Sequence, residues 1–266
     1  MQQYFVQTRL QLGQPLLLDA GQSHHILHVM RMKEGDVIAL CDEQQMMLAR
    51  ISVHERSVQA LPYELVDVCN DMPAEVTLID LAALFKVFGD PTRVKLLYVI
   101  MSLIRGERFE LVLQKAAELG CARVIPLQTR YCVARVPKEK AGKKLERWNA
   151  ISSEACEQSR RLSRMKVCAP ITLDDLPQVK SDLNLIAYEH ADHRAQRLSF
   201  ALRQSPFASL SIMIGCEGGF APEEVALSEQ AGFACVSLGP RILRAETAAI
   251  AVLAQIGYEL ESRGME

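Results

Sequence analysis

LSIMIGCEGGFAPEEVALSEQAG, residues 210–232, is the stretch that decides the fold. It opens on a short, nearly continuous apolar run that ends at a glycine, the pattern of a strand buried on both faces. Glycines at 215, 218 and 219 then allow a tight turn and close approach of the backbone to a ligand. Pro222 suits the first position of a helix, Glu223 and Glu224 complement its dipole, and Gly232 ends it. The spacing is neither the dinucleotide fingerprint nor a phosphate loop, which would close on Lys-Ser/Thr. Taken alone, the segment is a strand, a ligand-ready turn and a helix.

Working outward, the same alternation recurs. ERFELVLQKAAELG (107–120) places Phe109, Val112, Leu113 and Ala116 on one helical stripe and stops at Gly120. ARVIPLQ follows as a strand, and a second helix spans about 144–159 around Trp148, Ile151 and Ala155. LNLIAY (183–188) and ACVSL (234–238) are two more apolar runs. Apolar strands separated by helices predict a parallel α/β sheet covered on both faces. Ligands of such sheets sit beyond the carboxyl ends of the strands, here the segments EHADH, EGGF and GPRILR.

The last of these, within LGPRILRAETAAIAVLAQIGYELE (238–261), crowds Arg241, Arg244 and Glu246 between a strand and an alanine-rich helix. As a loop it can offer backbone groups to a planar ligand while its arginines face an anion; as a helix start it is an Arg-Glu pair at the first turn. Ala245, Ala248, Ala249, Ala251 and Ala254 let the last helix pack closely, as against a second subunit. His190 and His193 have a metal-compatible spacing, but no further ligands accompany them, and a border of the ligand pocket is the better expectation.

Residues 1–70 read differently. YFVQ, PLLLD, DVIALCD, MMLARISV and SVQALPYELV are short apolar runs between turn residues, which predicts a small β-rich domain. QSHHILHVMRMKEGD (22–36) interrupts them with Ile26, Leu27, Val29 and Met30 at helical spacing before a Lys-Glu-Gly-Asp turn. His24 and His28 share a helix face there without a third ligand, so no metal is expected.

The formal net charge of −2 argues only weakly against a nucleic-acid partner, because distribution matters more than the sum. Residues 1–70 hold five Lys/Arg against eight acids, whereas 138–166 hold nine (Lys138, Lys140, Lys143, Lys144, Arg147, Arg160, Arg161, Arg164 and Lys166) against four. That stretch is either a phosphate-contacting surface or a solvated helix face. The eight cysteines form no C-x-x-C pair and read as reduced, mostly buried side chains. No signal core and no run of about eighteen apolar residues occurs, so a cytoplasmic address without membrane contact is expected.

Five motifs in order, HHILHVMRMKEGD, VLQKAAELG, ISSEACEQS, IGCEGGF and LGPRILRAETA, resemble the small-subunit ribosomal RNA uracil-N3 methyltransferases of the SPOUT superfamily. The resemblance implies a PUA-like N-terminal β-barrel, residues 1–72, and a SPOUT-type α/β domain with a trefoil knot, residues 73–266. It also implies a homodimer that takes S-adenosyl-L-methionine as methyl donor and ribosomal RNA, within the small ribosomal subunit, as substrate. DNA is not an expected partner. The donor would be held at Tyr188 and Glu189, at Gly215, Glu217, Gly218 and Gly219, and at Leu238, Gly239, Ile242, Leu243 and Arg244. Arg241, Arg244, Glu246 and Thr247 would form the catalytic face. His24, Arg31, Lys33, Arg160 and Arg161 are the candidate RNA contacts. The competing function is a catalytically silent RNA-binding homologue.

Two departures from the family pattern stand out. Cys216 occupies a position where the family carries proline, which removes one fixed φ angle from the turn. LAALFKVFGDPTRVKLLYVIMS (81–102) is extra, and resembles the opening helices of ArsR-type winged-helix repressors, although no recognition helix or wing follows. Leu81, Leu84, Phe85 and Phe88 form one stripe, Gly89-Asp90-Pro91 breaks the chain, and Val94, Leu97, Tyr98 and Met101 form another, so a helical insertion is expected. Either YVIMSLI (98–104) replaces VTLID (76–80) as the first sheet strand, or the insertion is extruded from a split strand.

Overall fold

In the computed structural model, the residues described are 1–66, 96–188, 196–204 and 207–264. They form two compact units, the described residues up to 66 with 156–164, and those of 96–155 with those from 165 onward.

The first unit is built on a sheet of β1 (Gln3–Phe5), β2 (Leu16–Leu17), β3 (Val37–Cys41), β4 (Met46–His54) and β5 (Ser57–Val66), in the order β1-β3-β4-β5-β2. These are the five runs expected as strands. Alternation sets the faces: Ile38, Leu40, Met47, Ala49, Ile51, Val58 and Ala60 enter one core with Tyr4, Leu18 and Ile26. The expected helical exception is a five-residue helix, α1 (Ala20–His24), continued by a π-helical turn, His25–Val29. Asp19 starts it, accepting the Gln22 backbone N–H at 2.8 Å. His24 and His28 share a face, their rings 4.7 Å apart. The Lys-Glu-Gly-Asp turn forms, with the Lys33 N–H donating to Asp36 at 2.7 Å and Gly35 at φ +86°.

Residues 156–164 belong to this unit although they lie far along the chain from its last strand, which ends at Val66. The Phe5 N–H donates to Glu157 at 3.0 Å, the Gln3 amide to the Arg161 carbonyl at 2.8 Å, and the Arg164 guanidinium lies 4.5 Å from the Phe5 ring centroid. Burial, with Glu157 nearby, pushes the Tyr4 hydroxyl well above its ordinary pKa.

The second unit is a seven-stranded sheet in which every adjacent pair is parallel. Its strands are β6 (Leu96–Ser102), β7 (Arg123–Leu127), β8 (Lys166–Val167), β9 (Leu183–Ala187), β10 (Gln196–Arg197), β11 (Ser209–Ile214) and β12 (Ala234–Ser237), ordered β10-β12-β9-β11-β6-β7-β8. The helices are α2 (Gly106–Glu118), α3 (Lys138–Gln158), α4 (Leu198–Arg203), α5 (Pro222–Gln230) and α6 (Ala245–Gly264). The expected stripe of α2 is its buried one, Phe109 packs on Trp148 of α3 at 4.8 Å, and Gly120 closes α2 at φ +82°. Pro222 and Gly232 bracket α5 as the sequence suggests.

One expectation needs correction. Residues 96–102, the end of the expected helical insertion, are β6, paired with β11 on one side and β7 on the other. Leu97, Val99, Ile100 and Met101 are buried. A short apolar run fits a helix stripe or a doubly covered strand equally well, and the two parallel neighbours decide for the strand. YVIMS therefore lies in the sheet. The remainder of the insertion, 81–95, and VTLID lie outside the described residues, as do Glu189, His190 and His193. Among the described residues, no helix is long and apolar enough to cross a membrane.

Candidate active site

The strand order places β9, β11 and β12 side by side, so the segments leaving their carboxyl ends converge. They enclose a cavity of about 530 Å3, within the range of small-molecule sites. β9 contributes Tyr188, the turn after β11 contributes Gly215, Cys216, Glu217 and Gly219, and the segment after β12 contributes Leu238 to Arg244.

The glycine turn is held from within and from behind. The Gly219 N–H donates to the Cys216 carbonyl at 2.9 Å, so the turn closes without a proline at 216. A Cβ on Gly215 would come 3.0 Å from the Gly219 Cα, and one on Gly218 would come 2.9 Å from the Tyr131 Cβ. Behind the turn lies the segment after β7: the Arg130 N–H donates to Glu224 at 2.7 Å, and its guanidinium pairs with Glu223. Cys132 sits beside Cys216 and within 3.0 Å of the Thr129 hydroxyl, and these neighbours lower its thiol pKa against burial. The Cys132 neighbour, with burial, pushes the Cys216 thiol up.

The segment after β12 is a loop and not an early helix turn, because α6 begins only at Ala245. Gly239 at φ +118° permits its bend, with open space where a side chain would be. Ile242 is 84% exposed, and Arg241 and Arg244 are exposed along the cavity.

Most of the sequence-derived site residues thus come together. Tyr188, Gly215, Glu217, Gly219, Leu238, Gly239, Ile242, Leu243, Arg241 and Arg244 line one cavity. Gly218 faces Tyr131 instead, and Glu246 and Thr247 are not among the lining residues. Glu246 stands behind Arg108, its Oε1 3.8 Å from the Arg108 Nε. Arg108, from the first turn of α2, lines the cavity and also approaches Glu217 at 3.6 Å. It and the buttress at 129–132 were missed by sequence reasoning, because nothing in RGER or TRYC marks a residue whose partners lie more than eighty positions away. His24, Arg31, Lys33, Arg160 and Arg161 all fall in the first unit, which joins two basic segments distant in sequence.

Comparison with known proteins gives matches along the chain. The family model described as an RNA methyltransferase domain matches residues 91–257, and that of the RNA methyltransferase PUA domain matches 18–60. The ribosomal RNA small subunit methyltransferase E of Bacillus subtilis is 34% identical over 98% of both chains. That of Synechocystis is 31% identical over 92% of this chain and 73% of the relative. Among solved structures, a methyltransferase from Legionella pneumophila in complex with S-adenosylmethionine superposes with TM-score 0.79 at 31% identity, covering 96% of each chain. A ribosomal RNA small subunit methyltransferase E from Neisseria gonorrhoeae, bound to S-adenosylmethionine, gives 0.79 at 27% identity, again over 96% of each chain.

Proposed function

Because the chain belongs to the ribosomal RNA small subunit methyltransferase E family, with a PUA-type domain before a SPOUT-type α/β domain of the trefoil-knotted kind, we propose that it transfers a methyl group from S-adenosylmethionine to N3 of a uridine in small-subunit ribosomal RNA. The observation that carries this is the single cavity into which three strand ends bring the glycine turn, the exposed loop backbone and a carboxylate.

The cavity's composition fits the donor. Leu238, Ile242 and Leu243 give an apolar wall for an adenine ring. The turn at Gly215 and Gly219 is too tight for side chains and presents backbone, and Glu217 supplies negative charge to the cavity that would receive a sulfonium. Tyr188 with Glu189, Gly218 beside its two neighbours, and Gly239 with Arg244 complete the donor-holding set. When bound, the donor supplies an activated methyl group. The protein's part is alignment of the base and electrostatic support as its imide nitrogen becomes anionic. Arg241 and Arg244 on the cavity wall form the catalytic face, backed by Glu246 and Thr247 at the start of α6.

In this proposal residues 1–72 form the RNA-binding domain and 73–266 the catalytic domain, with His24, Arg31 and Lys33 of the first and Arg160 and Arg161 of the second directed at phosphates. The substrate is the small ribosomal subunit in the cytoplasm, and the active form is a homodimer, supported by the exposed Tyr258 and Phe200 on α6 and α4. Small subunits from cells lacking the native modification, incubated with protein and donor, should yield a nucleoside that co-elutes with N3-methyluridine and has its mass. No new methyluridine would overturn the proposal.

A further inference from the structure

We propose that Arg108 is the cation that receives the anionic uracil, held in place by Glu217 and Glu246; this rests on the function proposed above. Arg108 projects from the first turn of α2, a thirteen-residue helix packed on α6, and lines the cavity. Two carboxylates flank it from different elements. Its Nη1 lies 3.6 Å from Glu217 on the glycine turn, and its Nε 3.8 Å from Glu246 on α6. Both distances exceed hydrogen-bond length, so charge places the guanidinium without consuming its N–H donors. Its side chain is 44% exposed, whereas that of Glu246 is only 13% exposed, with Oε2 buried and without a hydrogen-bond partner. Glu246 is therefore a positioning residue: its buried carboxylate anchors the cation that faces the cavity.

The chemistry of the base matches this arrangement. When N3–H gives its proton to water, negative charge spreads over N3 and the two flanking carbonyl oxygens. The N3 electron pair then forms the bond to the methyl carbon as the carbon–sulfur bond breaks and its pair returns to sulfur. Arg108 neither gains nor loses a proton. A planar guanidinium offers parallel donors to such an anion and lowers the imide pKa in the site. Arg241 and Arg244 carry the same group on an exposed loop, whereas Arg108 sits on a packed helix between two anions, which holds geometry better. The other titratable groups around the cavity are Tyr188, Cys216, Glu217, Arg241 and Arg244, with Glu246 behind Arg108.

The test is single-turnover methylation of unmodified small subunits against pH, with donor affinity measured by calorimetry, for the wild type, R108M and R108K. For R108M the rate at neutral pH should fall about 10²–10³-fold, the size of losing one preorganised donor, while donor affinity changes less than about 3-fold, under 1 kcal/mol. The rising limb of its pH profile should move to higher pH, so that the deficit shrinks as the base ionises unaided. R108K, which keeps charge without the fork, should leave the limb near its wild-type position. A uniform loss at all pH values in R108M, or a loss confined to donor affinity, overturns the proposal. If R108M does not fold, an R108K profile displaced to high pH, or a wild-type rate in R108K, overturns it too. A wild type that makes no methyluridine refutes the proposed function instead.

Discussion

Single residues carry the site's tolerances. A Cβ at Gly215 meets the backbone of Gly219, which no side-chain motion can relieve. Gly215→Ala should therefore open the turn, costing about 1–3 kcal/mol as overpacking does and weakening donor binding by about 5- to 150-fold if the whole cost falls on the bound conformation. Calorimetric titration with S-adenosylmethionine measures it, and unchanged affinity would show that the turn does not hold the donor. Asp182 carries a pH signature away from the site. It accepts the backbone N–H groups of Ala208 and Ser209 and the Ser209 hydroxyl at 2.8–3.0 Å, which hold its carboxyl below the ordinary 3.8. A depressed carboxylate stabilises the fold fully above its unfolded value and loses that contribution as pH falls through the folded one. Thermal melts of the wild type and Asp182→Ala should therefore differ by a constant amount above about pH 5 and converge below 3.8.

At the scale of elements, β6 decides how the inserted sequence is accommodated. As a central strand it buries Ile100 completely between two neighbours and two covered faces. Ile100→Ala should destabilise the protein by about 2–5 kcal/mol, as large-to-small changes in packed cores do. Urea denaturation checks this; a cost near zero would mean that the segment is a dispensable surface addition. Sequence periodicity could find α2, α5 and the strands β7, β9, β11 and β12 because their caps, glycines and apolar runs all agree. It left 96–102 open between a helix and a sheet strand because Leu97, Tyr98 and Met101 satisfy a helical stripe while also belonging to a continuous apolar run.

For the whole molecule, the proposed RNA contacts can be compared with the two units. The RNA-facing candidates of residues 24–33 and 160–161 fall in the same unit, although the linear sequence puts the second pair inside the α/β half. If both arginines contact phosphate, R160A and R161A should weaken RNA binding uniformly across sequences and reduce the slope of log affinity against log salt by about 1 each. Filter binding on small-subunit RNA between low and moderate salt measures the slope; unaltered slopes would remove these arginines from the interface.

Local signals determined much of this protein. Strand-turn-helix units, a parallel sheet, a ligand site beyond its strands and a β-rich first domain all follow from glycine and proline placement and from runs of apolar residues, which act within a few positions. Only the tertiary structure decided that 96–102 is a strand, that 156–164 joins the first unit, and that Arg108 stands between Glu217 and Glu246. Each of these depends on which distant segments become neighbours. That adjacency arises from sheet order and packing, and no periodicity in the chain encodes it.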